Sequence, residues 1–355
     1  MVTAADSPAT DPATRARGEI LRAAGRPYSW RQVLAGAYFR GAAAALHAEV
    51  ADAVAAMSYA KEEGFEIPED AGDAGEAFRV EHSLITGEET ERWLDHCGIA
   101  IEEFDAHFAS RLLASRFKAE LDAIRRDYAP AAGEVVDTMW TATILSGSFE
   151  AFTLPFARRV ANLVVTCAAP DPRELATALQ AGEPRLPETL RAPGLLEELA
   201  AMDVLDEAAE RDALSTARRA EELREREYLL TRIVVAEAVF PSLDQANEAY
   251  QGVAADGLGL EEVAQRAGVE PTERTLFADE TPEGAAPLLS ALPGRVLEPE
   301  AVEGGFLVRC LRRRIAPDLA DPDVAVRVRE RLLAARSGAL LSTHVTWSFD
   351  PWTMT

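Results

Sequence analysis

Four side chains able to bind a metal or move a proton lie close together in the chain: His82, His96, Cys97 and His107. Imidazole and thiolate are zinc donors. Their spacing argues against a shared ion, because His96 and Cys97 are adjacent and neighbours on a helix diverge by about 100°. No metal and no other cofactor is expected. Glu81 and Asp95 sit beside His82 and His96, so the stretch also offers carboxylate and imidazole groups for acid/base chemistry. His82 and His96 are therefore catalytic candidates. His47 and His344 are isolated, and neither a Ser-His-Asp arrangement nor a phosphate-cradling or dinucleotide-binding glycine loop stands out.

A second concentration of chemistry is cationic. Arg309, Arg312, Arg313 and Arg314 are followed by Arg327, Arg329 and Arg331, in a chain whose net charge is -24. One reading is a dock for an acidic peptide segment that adds to a sheet edge. The other, and the commoner case, is a solvated strand edge paired with Asp318, Asp321 and Asp323. The acidic balance excludes a nucleic-acid backbone as partner, since phosphate neutralisation needs an excess of Lys and Arg.

The residues that position these groups carry a family resemblance. The run Leu292-Pro-Gly-Arg-Val-Leu-Glu-Pro-Glu-Ala-Val-Glu-Gly-Gly-Phe-Leu-Val-Arg-Cys resembles the closing half of a parvulin-type (PpiC-related) prolyl isomerase domain, with matches at Gly294, Val296, Pro299, Gly304, Gly305 and Phe306. The two histidines that the family uses are missing. Their places are read as Arg232, before Ile233, and Leu307, after the glycines, and the Gly-Gly-x-Leu-Gly segment is absent from Arg274 to Ala286. Rotation about an X-Pro bond faces a barrier of about 18–20 kcal/mol, and without both imidazoles efficient catalysis is not expected. The resemblance implies a residual peptide groove around Phe277, Leu288, Leu292 and Phe306, with Arg232 and Arg309 as charged contacts. Ordinary core packing is the alternative for each apolar member.

Upstream, Glu76 to Phe104 resembles the N-terminal helical region of SurA-type chaperones. Its Thr86 and Glu89 form a capping box, and Trp93, Leu94 and Cys97 share a helical face that Gly98 closes. Further helices are expected over Trp30 to Lys61 as one piece, Phe104 to Tyr128, and Gly133 to Thr166 with a break near Pro155. The proline-rich stretch from Cys167 to Gly194 reads as helix-broken connections, and Leu195 to Glu227 as one or two helices. Then come a strand in Leu229–Val235, a helix capped by Ser242 and Gln245, a short helix from Leu260, a strand over Thr272–Phe277, a helix over Ala285–Leu292 and a terminal hairpin. This is the parvulin order. A helix over Asp321–Ser337 and an extended Leu341–Phe349 follow, with Trp347, Phe349, Pro351 and Trp352 expected to pin the terminus to a core.

The expected fold class is thus α+β, with an arm at 1–17, an α-helical SurA-like domain at 18–225, a parvulin-like domain with a small antiparallel sheet at 226–316, and a segment at 317–355 that packs back on the helical domain. Three widely spaced cysteines, Cys97, Cys167 and Cys310, do not form a disulfide framework and fit a reducing compartment. The start of the chain has no signal-peptide pattern, and Val135 to Val165, the most apolar stretch, is broken by charges and Pro155. A cytoplasmic location without membrane contact is expected. The leading functional expectation is a peptide-binding, chaperone-like accessory protein. Its resemblance to cytosolic parvulin-related accessory proteins implies a role in bacterial peptide natural-product maturation, with an unfolded or precursor peptide as the expected partner and modifying enzymes as further candidates. The alternatives are an enzyme on the same scaffold, isomerising or modifying a peptide, and a purely structural subunit.

Overall fold

A computed structural model describes residues 18–67, 70–166 and 168–353. The expected arm at 1–17 and Cys167 lie outside the described residues. The chain is mostly helical with two small antiparallel sheets, an α+β composition. It divides into two compact units: residues up to Glu210 together with those from Ser337 onward, and Arg211–Arg336.

In the first unit, β1 (Leu21–Ala23) pairs with β2 (Arg26–Tyr28) on one side. Helices α1 (Trp30–Phe39), α2 (Ala44–Glu63), α3 (Asp70–Glu81), α4 (Gly87–Cys97), α5 (Ile101–Arg116), α6 (Leu121–Asp127), α7 (Ala132–Leu145), α8 (Phe149–Val165) and α9 (Pro172–Gly182) follow, and α10 (Leu195–Ala213) begins there. The single helix expected over Trp30–Lys61 is two. The chain turns at Gly41 with φ +77°, a left-handed conformation that costs other residues about 1 kcal/mol or more. Likewise the break expected near Pro155 falls earlier, at Gly147 with φ +70°. Pro155 sits inside α8, where it removes one intrahelical bond without ending the helix. The Pro-rich connection contains an unexpected α-helix, α9, whose preceding Asp171 accepts from the Arg173 and Glu174 amides and whose Pro172 opens the first turn.

Capping explains α4 well. Thr86 Oγ1 accepts from the Glu89 amide at 3.2 Å, and the Glu89 carboxylate accepts from the Thr86 amide at 2.8 Å. The main core joins the small sheet to α1, α4, α7 and α8 through Trp30, Trp93, Trp140, Phe149 and Phe156. Ala55, Ala56, Leu113, Phe117 and Ile124 form a second cluster among α2, α5 and α6. A polar strut ties α8 to α10: Arg158 grips Asp206 through two bonds (3.1 and 2.7 Å), Asn162 donates to the same carboxylate, and buried Arg159 pairs with Asp203 at 2.9 Å.

The second unit opens with α11 (Thr216–Glu225) and the single turn α12 (Glu227–Leu230). It then holds a four-stranded antiparallel sheet of β3 (Arg232–Phe240), β4 (Thr272–Phe277), β5 (Glu300–Val302) and β6 (Gly305–Ile315), in the order β4-β3-β6-β5. The first strand starts later and runs further than expected, because β6 pairs with it as far as Phe240 opposite Phe306. One face of the sheet, with Ala236, Ala238, Phe240, Val308 and Cys310, packs on α13 (Leu243–Ala254) and α14 (Leu260–Arg266). The other carries Ile233, Val235, Leu276 and Leu311 beneath Ala285 and Leu288. That cover is a 3-10 helix, Glu283–Leu289, which starts and ends earlier than the helix expected over Ala285–Leu292, and it has Pro287 inside it. The last helix, α15 (Pro322–His344), ends seven residues later than expected, so only Val345–Trp347 is strand. This strand, β7, pairs with β1 in the first unit.

Candidate functional site

The register of the two central strands sets what the second unit can do. Arg232 lies opposite Ile315, whereas Leu307 lies opposite Val239. Seven residues along a strand are about 23 Å. The two positions assigned to the missing histidines therefore cannot face each other as a hydrogen-bonded pair, a correction of the alignment drawn from sequence.

The facing pair is Glu237 and Arg309, each 8% exposed. Arg309 Nε donates to Glu237 at 3.0 Å and its guanidinium also donates to Glu300 on β5, while Arg274 on β4 lies 3.6 Å from Glu237. Charges thus cross all four strands in one line. Gly284 passes so close over this line that a Cβ there would sit 2.5 Å from a Glu300 carboxylate oxygen. With each ion neutralised by its neighbour, the network is a strut, and Arg309 is not available to a ligand. Sequence reading missed Glu237 although it left a signal: a lone carboxylate within Ile-Val-Val-Ala-Glu-Ala-Val-Phe demands a buried cation opposite.

The other expected groove residues go to separate surroundings. Arg232 is held by Asp321 and by Asp323 (3.3 Å), and its guanidinium lies 5.5 Å from the Phe277 ring centre. Phe277 is buried with Leu230, Val324 and Val328, and Arg327 stacks on it at 3.8 Å. Leu288 is fully buried on the opposite sheet face, Phe306 packs on the helix-covered face, and Leu292 is 82% exposed. Only Arg232 and Phe277 of the set come together. The arginine run is largely paired as well, though with different acids from those expected: Arg327 and Arg331 take Asp279 (3.0 and 2.7 Å), and Arg312 takes Glu261.

The outer edge of β4 is open. The Ala278 amide bonds to the Thr231 carbonyl on the β3 side, so by the alternation of an antiparallel ladder the backbone groups of Glu273, Thr275 and Phe277 point outward. The Phe277 amide confirms the direction by reaching the Glu280 carboxylate at 3.4 Å. Among the described residues nothing accepts from the Glu273 or Thr275 amides, and Thr272–Thr275 are exposed. At the end of this edge lies a shallow cavity of about 550 Å³ lined by Phe277, Val326, Arg327, Glu330, Arg331 and Asp323.

The candidate catalytic histidines belong to the first unit and hold down the end of the chain. His82 stacks on Trp352 (4.1 Å between ring centres), and His96 Nε2 donates to the Asp350 carbonyl at 2.7 Å while its ring stacks on Phe349. Cys97 is buried, and burial, with Asp350 nearby, pushes its thiol well above the usual range. His107 is buried too, which lowers its pKa to about 4, with Arg111 adding to the effect. Among the described residues no three His, Cys, Asp or Glu side chains are placed to hold a metal ion, and no helix is long and apolar enough to cross a membrane.

Comparison with known proteins gives one distant likeness. No family model matches the chain, and no curated protein matches it. A crystal structure of PrsA from Bacillus subtilis aligns over 58% of this chain and 87% of that chain, at 12% identity and a TM-score of 0.22. So loose a superposition says nothing about activity.

Proposed function

We propose that the chain is a peptide-binding, chaperone-like accessory protein whose parvulin-like module holds an extended segment by strand addition and does not isomerise it. The observation that supports this is the β4 edge, where two residues present outward amides and carbonyls without partners among the described residues, beside a cavity walled by Phe277 and Val326. Backbone pairing supplies affinity that tolerates many sequences, and the cavity takes one side chain. The same proposal includes an unfolded or precursor peptide as partner, a role in natural-product maturation and a cytoplasmic location. These rest on the sequence resemblance.

The test is amide chemical-shift mapping with short extended peptides, on the natural chain and on Thr275→Pro. Proline at 275 deletes an outward donor while leaving the β3 side of the ladder intact. The natural chain should show shifts centred on Glu273–Phe277, and the variant should lose them while keeping its fold. Shifts elsewhere, or unchanged binding by the variant, would overturn the site.

A further inference from the structure

The first unit contains a second concave site. A cavity of about 420 Å³ opens between the start of α8 and the segment after β7, with Phe149, Glu150, Leu154, Trp347, Asp350 and Trp352 among its walls. Its size falls within the usual range for small-ligand pockets. Three of its apolar walls remain substantially open to solvent: Trp347 (39%), Trp352 (40%) and Leu154 (40%).

One wall and the base are packed against other rings. Trp352 stacks with His82 at 4.1 Å and with Trp93 at 5.3 Å, and the Pro351 carbonyl accepts from Trp93 Nε1 at 2.9 Å. Phe349, at the base, packs on Trp140 and Phe149. Trp352 is therefore fixed between two protein rings, and the indole that remains open to the cavity is that of Trp347.

The electrostatics choose the ligand. No Arg, Lys or His lines the cavity, and two carboxylates do. Asp350 is partly engaged, accepting from the Trp352 amide (2.9 Å) and the Thr353 hydroxyl (2.8 Å). Glu150 is exposed and makes no ion pair among the described residues. The start of α8 contributes about half a positive charge, which two full carboxylates outweigh. Indole faces attract cations, and a guanidinium suits them best because it is planar and weakly hydrated.

We infer that this cavity is a recognition site for the arginine side chain of a peptide, with the guanidinium on the face of Trp347, beside Trp352, and paired to Glu150. The inference is independent of the β4 edge, since every wall lies in the first unit.

The experiment titrates the full chain with N-acetyl-arginine amide and, separately, with its neutral isostere N-acetyl-citrulline amide, following the indole N–H resonances of Trp347 and Trp352. The arginine derivative should shift both resonances and bind about tenfold more tightly than citrulline, with affinity falling as salt is raised. Glu150→Gln should weaken it severalfold, and Glu150→Arg, which puts a guanidinium in the cavity from the protein itself, should abolish it. Neither surface substitution disturbs a packed side chain, and unchanged far-UV circular dichroism would confirm the fold. Equal binding of citrulline, an unaltered affinity in Glu150→Gln, or no shift of either indole with millimolar arginine derivative would each overturn the proposal.

Discussion

At the scale of single residues, the charges in this protein are spent on holding it together. Glu237 and Arg309 face each other across the central strands, buried and 3.0 Å apart. Removing Glu237 leaves the buried Arg309 with Glu300 alone, so Glu237→Ala should cost about 3 kcal/mol in urea unfolding of the second unit. Replacing both by leucine should cost much less, because the desolvation penalty then disappears with the charges. His107 gives a pH signature. Its folded pKa lies at about 4, below the ordinary 6.5, so the unfolded chain takes up the proton first as pH falls. Stability is therefore lost between about pH 6.5 and pH 4, by about 2 kcal/mol at pH 5. His107→Leu should flatten that part of the stability–pH curve, and denaturant midpoints measured at pH 7 and pH 5 would show whether it does.

At the scale of elements, the positions of turns and strand ends were the least legible from sequence. The β4 limits, the α4 capping box and the hairpin glycines follow from local chemistry and appear where the residues place them. The split of α1 from α2, the break before α8 and the 3-10 form of Glu283–Leu289 depend on which glycine takes a left-handed turn and on the close packing over the sheet. Periodicity does not report those choices. Register was the costlier loss. Counting back from the family pattern put Arg232 and Leu307 together, whereas the lone charges Glu237 and Arg309 were the true markers of strand alignment. The open β4 edge was invisible because an unpaired strand differs from a paired one only in its neighbours. One element carries a clear stability prediction. Phe349 sits against Trp140, Phe149 and His96, so Phe349→Ala should cost about 3–5 kcal/mol in the first unit. A loss below about 1 kcal/mol in thermal unfolding would mean that the end of the chain is not part of that core.

At the scale of the whole molecule, the groups best suited to proton transfer are committed elsewhere. His82 and His96 clamp the segment Phe349–Trp352, and Arg232 and Arg309 are locked in ion pairs. The outer edge of β4 and the aromatic, acidic cavity are binding features. The decisive measurement follows isomerisation of a panel of X-Pro peptides in a protease-coupled assay while binding of the same peptides to the full chain is measured in parallel. A pure binder leaves isomerisation at its spontaneous pace of tens to hundreds of seconds at 25 °C, even where binding is saturated. A clear rate enhancement, or failure to bind any extended peptide, would contradict the account.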